Sequence, residues 1–257
     1  MSPALLSLLQ LSDPALPIGG YAHSGGLETY VQAGVVRDRG TAEGFIREML
    51  ARNLYYTDAA LVALSYAAAV GGDTGEVLEL DALCEAVKLP KEIRQASQKL
   101  GMRLLKVFQG IVPGGGPIGE GANEGKIQGG KEGKTDKGDE RLFGVMRAYN
   151  KMVQTRQTPG HYCIAFGTCA AALGIGLREA LTGYYYNAAA GMVTNCVKLI
   201  PMGQQDGQEL LFSLQSLIGE LVEGTLDPDR ELIGVCCPGL DIRCMQHEQL
   251  YSRLYMS

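Results

Sequence analysis

Histidine is scarce in this sequence, with three in 257 residues, at positions 23, 161 and 247. A site for acid–base or nucleophilic chemistry needs a second group placed beside such a residue, and the local sequence supplies no convincing one. Long apolar runs are lacking too. Even Ala165 to Gly176 is too short and too rich in glycine to span a bilayer. Regular cysteine spacing is also missing: the seven thiols, at 84, 163, 169, 196, 236, 237 and 244, are odd in number and include no CxxC pair. That pattern excludes a disulfide framework and a CxxC zinc or redox site, and it reads as reduced, packed thiols in a cytoplasmic protein. There is no excess of basic charge. Lys and Arg total 23 against 28 Asp and Glu, a net charge of -5, which argues against nucleic-acid binding. The opening MSPALLSLLQLSDP has neither a basic stretch nor a small-residue cleavage pattern, so no signal peptide is expected. Strand-like alternation and internal repeats are absent from the pattern as well.

What is present is helical periodicity on a chain with 46% hydrophobic and 20% charged residues, the balance of a globular protein. From Thr41 to Val70 apolar residues recur at helical spacing (Phe45, Met49, Leu50, Leu54, Leu61, Leu64, Ala68), and Gly71-Gly72 is the stop. Asp81 to Val87 reads as a short helix. Pro90 opens another through Ile93, Ala96, Leu100, Leu104 and Val107. Residues 111–140 break the pattern with glycine and mixed charge and almost no core-forming side chain, as expected of a flexible surface insertion. Its GGKEGKT ends in Gly133-Lys134-Thr135, but a phosphate-binding loop would need glycine where Gln128 stands, after a strand that the sequence lacks. Helical pattern resumes from Arg141 to about Gln157. The small-residue stretch from His161 to Val197 suits closely packed helices in the middle of a bundle. Asp206 is placed to cap a helix through Leu221. The expected fold is all-α, a single-domain bundle of roughly ten helices over residues 1–257.

Candidate chemistry is sparse. His161 and Cys163 stand two apart and would point away from each other on a helix, so Cys163 reads as a small buried hydrophobe. Cys244, His247 and Glu248 offer ligand types for nickel or zinc, with 244 and 248 on one helical face. The competing reading makes His247-Glu248 a solvated or partner-facing pair. In YAHSGGLE, Pro14, Pro17 and Gly19-Gly20 shape a rigid turn that presents Tyr21, His23 and Ser24. Ser24 is then a helix cap and Glu28 a first-turn acid at the positive dipole end. The same turn reads equally well as a contact surface. Lys198 would favour the negative end of its helix.

Five stretches, in order along the chain, carry a resemblance: LLQLSDPALPIGGYAHSGGLETYVQAG, QASQKLGMRLLKV, GHYCIAFGTCAAALGI, VKLIPMGQQDGQELL and DIRCMQHEQLYSRLYMS. Together they resemble the UreF family of urease accessory proteins. The resemblance implies an all-helical homodimer, without an active site of its own, that works with UreD (UreH in some organisms) and the GTPase UreG on apo-urease. Nickel and GTP would be handled by those partners, with no cofactor, nucleic acid or membrane bound by this chain. It also implies that the tail 241–257 docks on UreD through Arg243, Gln246, His247, Glu248, Tyr251, Arg253, Leu254 and Tyr255. Tyr21, His23, Ser24, Glu28, Lys198 and Gln204 are the candidates for the surface facing UreG. The alternative is a direct nickel carrier using His247 and Cys244. The polar tail is expected to order only on its partner.

Overall fold

A computed structural model of the chain describes residues 3–111, 137–235 and 237–256, with backbone alone at 137–140. Twelve α-helices and no strand occur among the described residues. The first six are α1 (Pro3–Leu11), α2 (Leu27–Gln32), α3 (Arg39–Glu48), α4 (Asp58–Gly71), α5 (Thr74–Val87) and α6 (Lys91–Ile111). The rest are α7 (Lys137–Gln154), α8 (Tyr162–Ala172), α9 (Leu177–Leu199), α10 (Gln204–Ser213), α11 (Gln215–Thr225) and α12 (Pro238–His247). The insertion expected at 111–140 lies outside the described residues except at its margins, where α6 ends and α7 begins. No described helix is long and apolar enough to cross a membrane.

Local chemistry sets several of these boundaries. Asp38 caps α3 by accepting from the Thr41 backbone N–H at 2.8 Å, while the Thr41 hydroxyl accepts from the Asp38 N–H at 3.0 Å. Thr41 is therefore the third residue of a capping box and not the start of the helix. The periodic stretch from Thr41 to Val70 is two helices. A π-helical segment at Met49–Leu54 and a break at Thr57 separate them, and apolar spacing is blind to that break because both halves face one core. α5 begins seven residues earlier than its pattern predicts. Asp73 caps it, and its buried stripe is Val77, Leu80, Asp81 and Cys84, so an acid at a core position hides the helix from a hydrophobicity reading. The helix expected from Asp206 through Leu221 is broken at fully buried Leu214, which ends α10 and begins α11.

The small-residue prediction holds most fully at α8. Every residue from Cys163 to Ala172 is buried, and α4 and α6 are its most extensive neighbours. Each side chain the size of Ile164 or Phe166 withdrawn from water stabilises the fold by about 1.5–3 kcal/mol. The approach of α6 to the start of α8 depends on Gly101, where a β-carbon would strike the carbonyl oxygen of Gly160. Alanine at 101 would gain about 1 kcal/mol of helix propensity. The collision is with backbone, which cannot swing aside, and overpacking of this kind costs about 1–3 kcal/mol. Gly101→Ala is thus expected to lower the urea midpoint, and an unchanged or higher midpoint would contradict the close approach.

Candidate functional site

The C-terminal arm is the first place where separate motifs meet. α12 lies against α2 and α6. Its approach to α2 requires Gly26, whose φ is 85° and whose β-carbon would come within 2.6 Å of the Cys244 sulfur. Beneath it His247 is fully buried. Its Nδ1 is 2.6 Å from Glu92 Oε2 and its Nε2 is 3.1 Å from Glu28 Oε2. Glu28 also accepts from the backbone N–H of Leu254 at 2.7 Å and of Tyr255 at 3.1 Å. Arg253 donates to the other Glu92 oxygen at 2.8 Å, and Met256 N–H donates to Ala22 O at 2.8 Å. The tail is thereby tied across the YAHSGG turn, with Tyr255 buried. The sequence predicts a tail that orders only on a partner; these bonds to buried Glu28 and half-buried Glu92 supply order from within the chain.

This knot changes the reading of individual residues. Glu28 does sit in the first turn of α2, but Gly26 occupies the cap position, and the Glu28 N–H lies 3.5 Å from the Ser24 hydroxyl. The carboxylate serves the tail. His247 is not part of a solvated pair; only Glu248 is exposed. Outward from the knot, Ile242, Met245, Tyr251, Leu254 and Met256 are exposed apolar side chains. Arg243 lies over the Tyr30 ring at 5.7 Å and donates to Gln246 at 3.1 Å.

Four of the six residues assigned to the second surface, Tyr21, His23, Ser24 and Lys198, line one cleft of about 380 Å³. Glu28 is buried beside it in the knot, and Gln204 is exposed at the start of α10. Tyr21 is three-quarters exposed. Asn195 donates to His23 O at 3.0 Å, fixing the turn to α9. Burial, and then the charges of Lys99 and Arg103, lower the His23 pKa and keep its ring neutral at pH 7. Also lining the cleft, Lys88 donates to both Asp58 oxygens at 2.9 and 2.7 Å. Burial opposes charge on both, yet the pairing outweighs it: the Asp58 pKa is lowered and the Lys88 pKa raised.

A second polar cluster, with Asp81 and His161 fully buried, carries no motif that announces it in the sequence. Asp81 accepts from the Thr158 hydroxyl at 2.6 Å and from the backbone N–H groups of Gly160 and His161, both at 2.8 Å. His161 reaches Ser97 through Nδ1 at 3.1 Å and Glu85 through Nε2 at 2.9 Å. Cys163, as expected, is a buried thiol, and its neighbour is Cys84, sulfur to sulfur 3.5 Å. Glu92, Asp81 and Cys84 carry no motif. Their only signal is an acid or thiol standing on the apolar stripe or at the start of a helix.

Among the described residues no group of three or more His, Cys, Asp and Glu side chains is arranged to hold a metal ion. Both His247 nitrogens face carboxylates, and Cys244 is buried under Gly26. The carrier reading gains no support from this geometry.

The UreF family model matches residues 36–215 of the chain. The urease accessory protein UreF of Actinobacillus pleuropneumoniae serotype 3 is 39% identical over 251 residues, covering 98% of each chain. That of Haemophilus influenzae (strain ATCC 51907) is also 39% identical, over 98% of this chain and 94% of its own. The protein of that name from Arthrobacter sp. (strain FB24) is 32% identical, over 98% of this chain and 96% of its own. With the motifs in order and the helical fold around them, the chain belongs to the UreF family of urease accessory proteins.

Proposed function

We propose that this protein is a scaffold in urease maturation. It joins UreD (UreH) and the GTPase UreG on apo-urease in the cytoplasm while binding neither nickel nor GTP itself and catalysing no reaction. The observation that carries this reading is the C-terminal arm, where Ile242, Met245, Tyr251, Leu254 and Met256 are held out to solvent. An apolar face that is exposed and yet anchored from behind suits docking, since its ordering cost is met before the partner arrives. UreD is assigned to this face. The turn around Tyr21, at the mouth of the cleft with Lys198, is assigned to UreG. A homodimer belongs to the same reading, and exposed Leu5, Leu6, Leu9 and Phe212 leave apolar area away from the arm for such pairing.

The test uses the full chain co-expressed with UreD. Tyr251→Asp combined with Leu254→Asp places two charges on the exposed face without touching a buried group. Capture of UreD is expected to fall at least about tenfold, the effect of losing an interface anchor, with urease activation falling alongside and thermal unfolding unchanged. Undiminished capture by the double variant would remove the arm from the interface.

A further inference from the structure

We propose that Cys84 and Cys163 form a peroxide-sensitive thiol pair that closes to a reversible disulfide between α5 and α8. This modification site is separate from the docking surfaces and does not depend on the scaffold reading. The two sulfurs are 3.5 Å apart; closing to a bond of about 2.05 Å requires them to approach by about 1.5 Å. Both cysteines are free and fully buried.

The surroundings assign different roles to the two thiols. Lys88 follows the end of α5, four residues beyond Cys84, and His161 stands two residues ahead of Cys163 with its ring bonded to Ser97 and Glu85. Burial alone would push the Cys84 thiol up, but its hydrogen bond with Cys163 and the charge of Lys88 bring its pKa down to about 6. Burial, and then the interaction with Cys84, push Cys163 well up. With Lys88 four residues on and its thiol drawn down, Cys84 takes the attacking role in this proposal and Cys163 the resolving one. The cleft reaches the neighbours of both thiols: Lys88, Ser97 and Tyr162 line it, and Ser97 touches His161.

The chemistry balances with peroxide as the oxidant. The Cys84 sulfur attacks one peroxide oxygen, the S–O bond forms, the O–O bond breaks, and the departing hydroxide takes up the proton that the Cys84 thiol gives up, to leave as water. Cys163 then attacks the Cys84 sulfur. The S–S bond forms, the S–O bond breaks, and the second hydroxide leaves as water with the Cys163 proton. Two thiols lose two electrons and two protons, and one peroxide becomes two waters.

The experiment treats the reduced, folded, full-length protein with a small excess of hydrogen peroxide, alkylates it under denaturing conditions, and maps the digest by mass spectrometry. The expected product is a peptide pair joined through Cys84 and Cys163, lost on reduction, with the unreduced protein melting several degrees higher because a long loop is closed. In Cys163→Ser the resolving thiol is gone while a hydrogen-bond donor to Cys84 remains, and dimedone present during denaturation should label Cys84 as the sulfenic acid. The proposal is overturned if Cys84 and Cys163 are both fully alkylated after treatment, whether or not half-exposed Cys237 has oxidised, or if Cys84 of the variant takes no dimedone.

Discussion

Replacing Asp81 with alanine is expected to destabilise the protein by about 3–5 kcal/mol, a large part of the roughly 5–15 kcal/mol that holds a domain folded. The carboxylate is fully buried and accepts from one hydroxyl and two backbone N–H groups at 2.6–2.8 Å. The two N–H groups lead into α8, where helix donors have no partner within the helix and the dipole favours an anion. Alanine leaves those donors buried and unmatched, at about 1–3 kcal/mol each. The damage falls on α8, the helix packed between α4, α6 and α7. Asp81→Asn keeps one acceptor oxygen at the same place and should lose about half as much. Urea midpoints of the two variants measure this. An alanine variant within about 1 kcal/mol of the parent, the scale of an ordinary substitution, would show that the carboxylate is not what holds the start of α8.

Asp81 also marks how far the sequence could be read. Helix type and the all-α class follow from periodicity, because apolar side chains had to return every three or four residues to reach one core. The central place of α8 follows from its alanines, glycine and thiols, which leave room for α4 and α6. Boundaries were hidden where a polar group does an apolar position's work, as Asp81 does on the stripe of α5, or where two helices share a face across a break, as at Thr57. At the site, the turn and the tail were each visible, and four of the second-surface candidates do gather on one cleft. That Glu28 belongs to the tail was not visible. Its contacts lie more than 200 positions away in the chain, and helix capping explained its identity well enough locally. Glu92 is hidden in the same way, an acid in a first turn whose partners, His247 and Arg253, arrive from the other end of the sequence.

The sharpest consequence of that pairing is that Glu28→Ala should free the tail while leaving the bundle folded. One carboxylate holds three donors: His247 Nε2, Leu254 N and Tyr255 N. Its loss removes charge-assisted hydrogen bonds worth about 2–4 kcal/mol together after water has replaced some of them. None of the three donors belongs to the central helices, so the cost falls on a local opening and not on global unfolding. Amide exchange at Leu254 and Tyr255 is expected to quicken by about 30- to 1000-fold, and trypsin to cut more readily after Arg253, with circular dichroism unchanged. Under the scaffold reading, capture of UreD weakens in the same variant, because the face carrying Tyr251 and Leu254 must then be ordered during binding. Tyr251→Asp separates the two effects: it should weaken capture while leaving exchange at Leu254 and Tyr255 slow. Should Glu28→Ala exchange those two amides no faster than the parent, the tail is held by something other than this carboxylate.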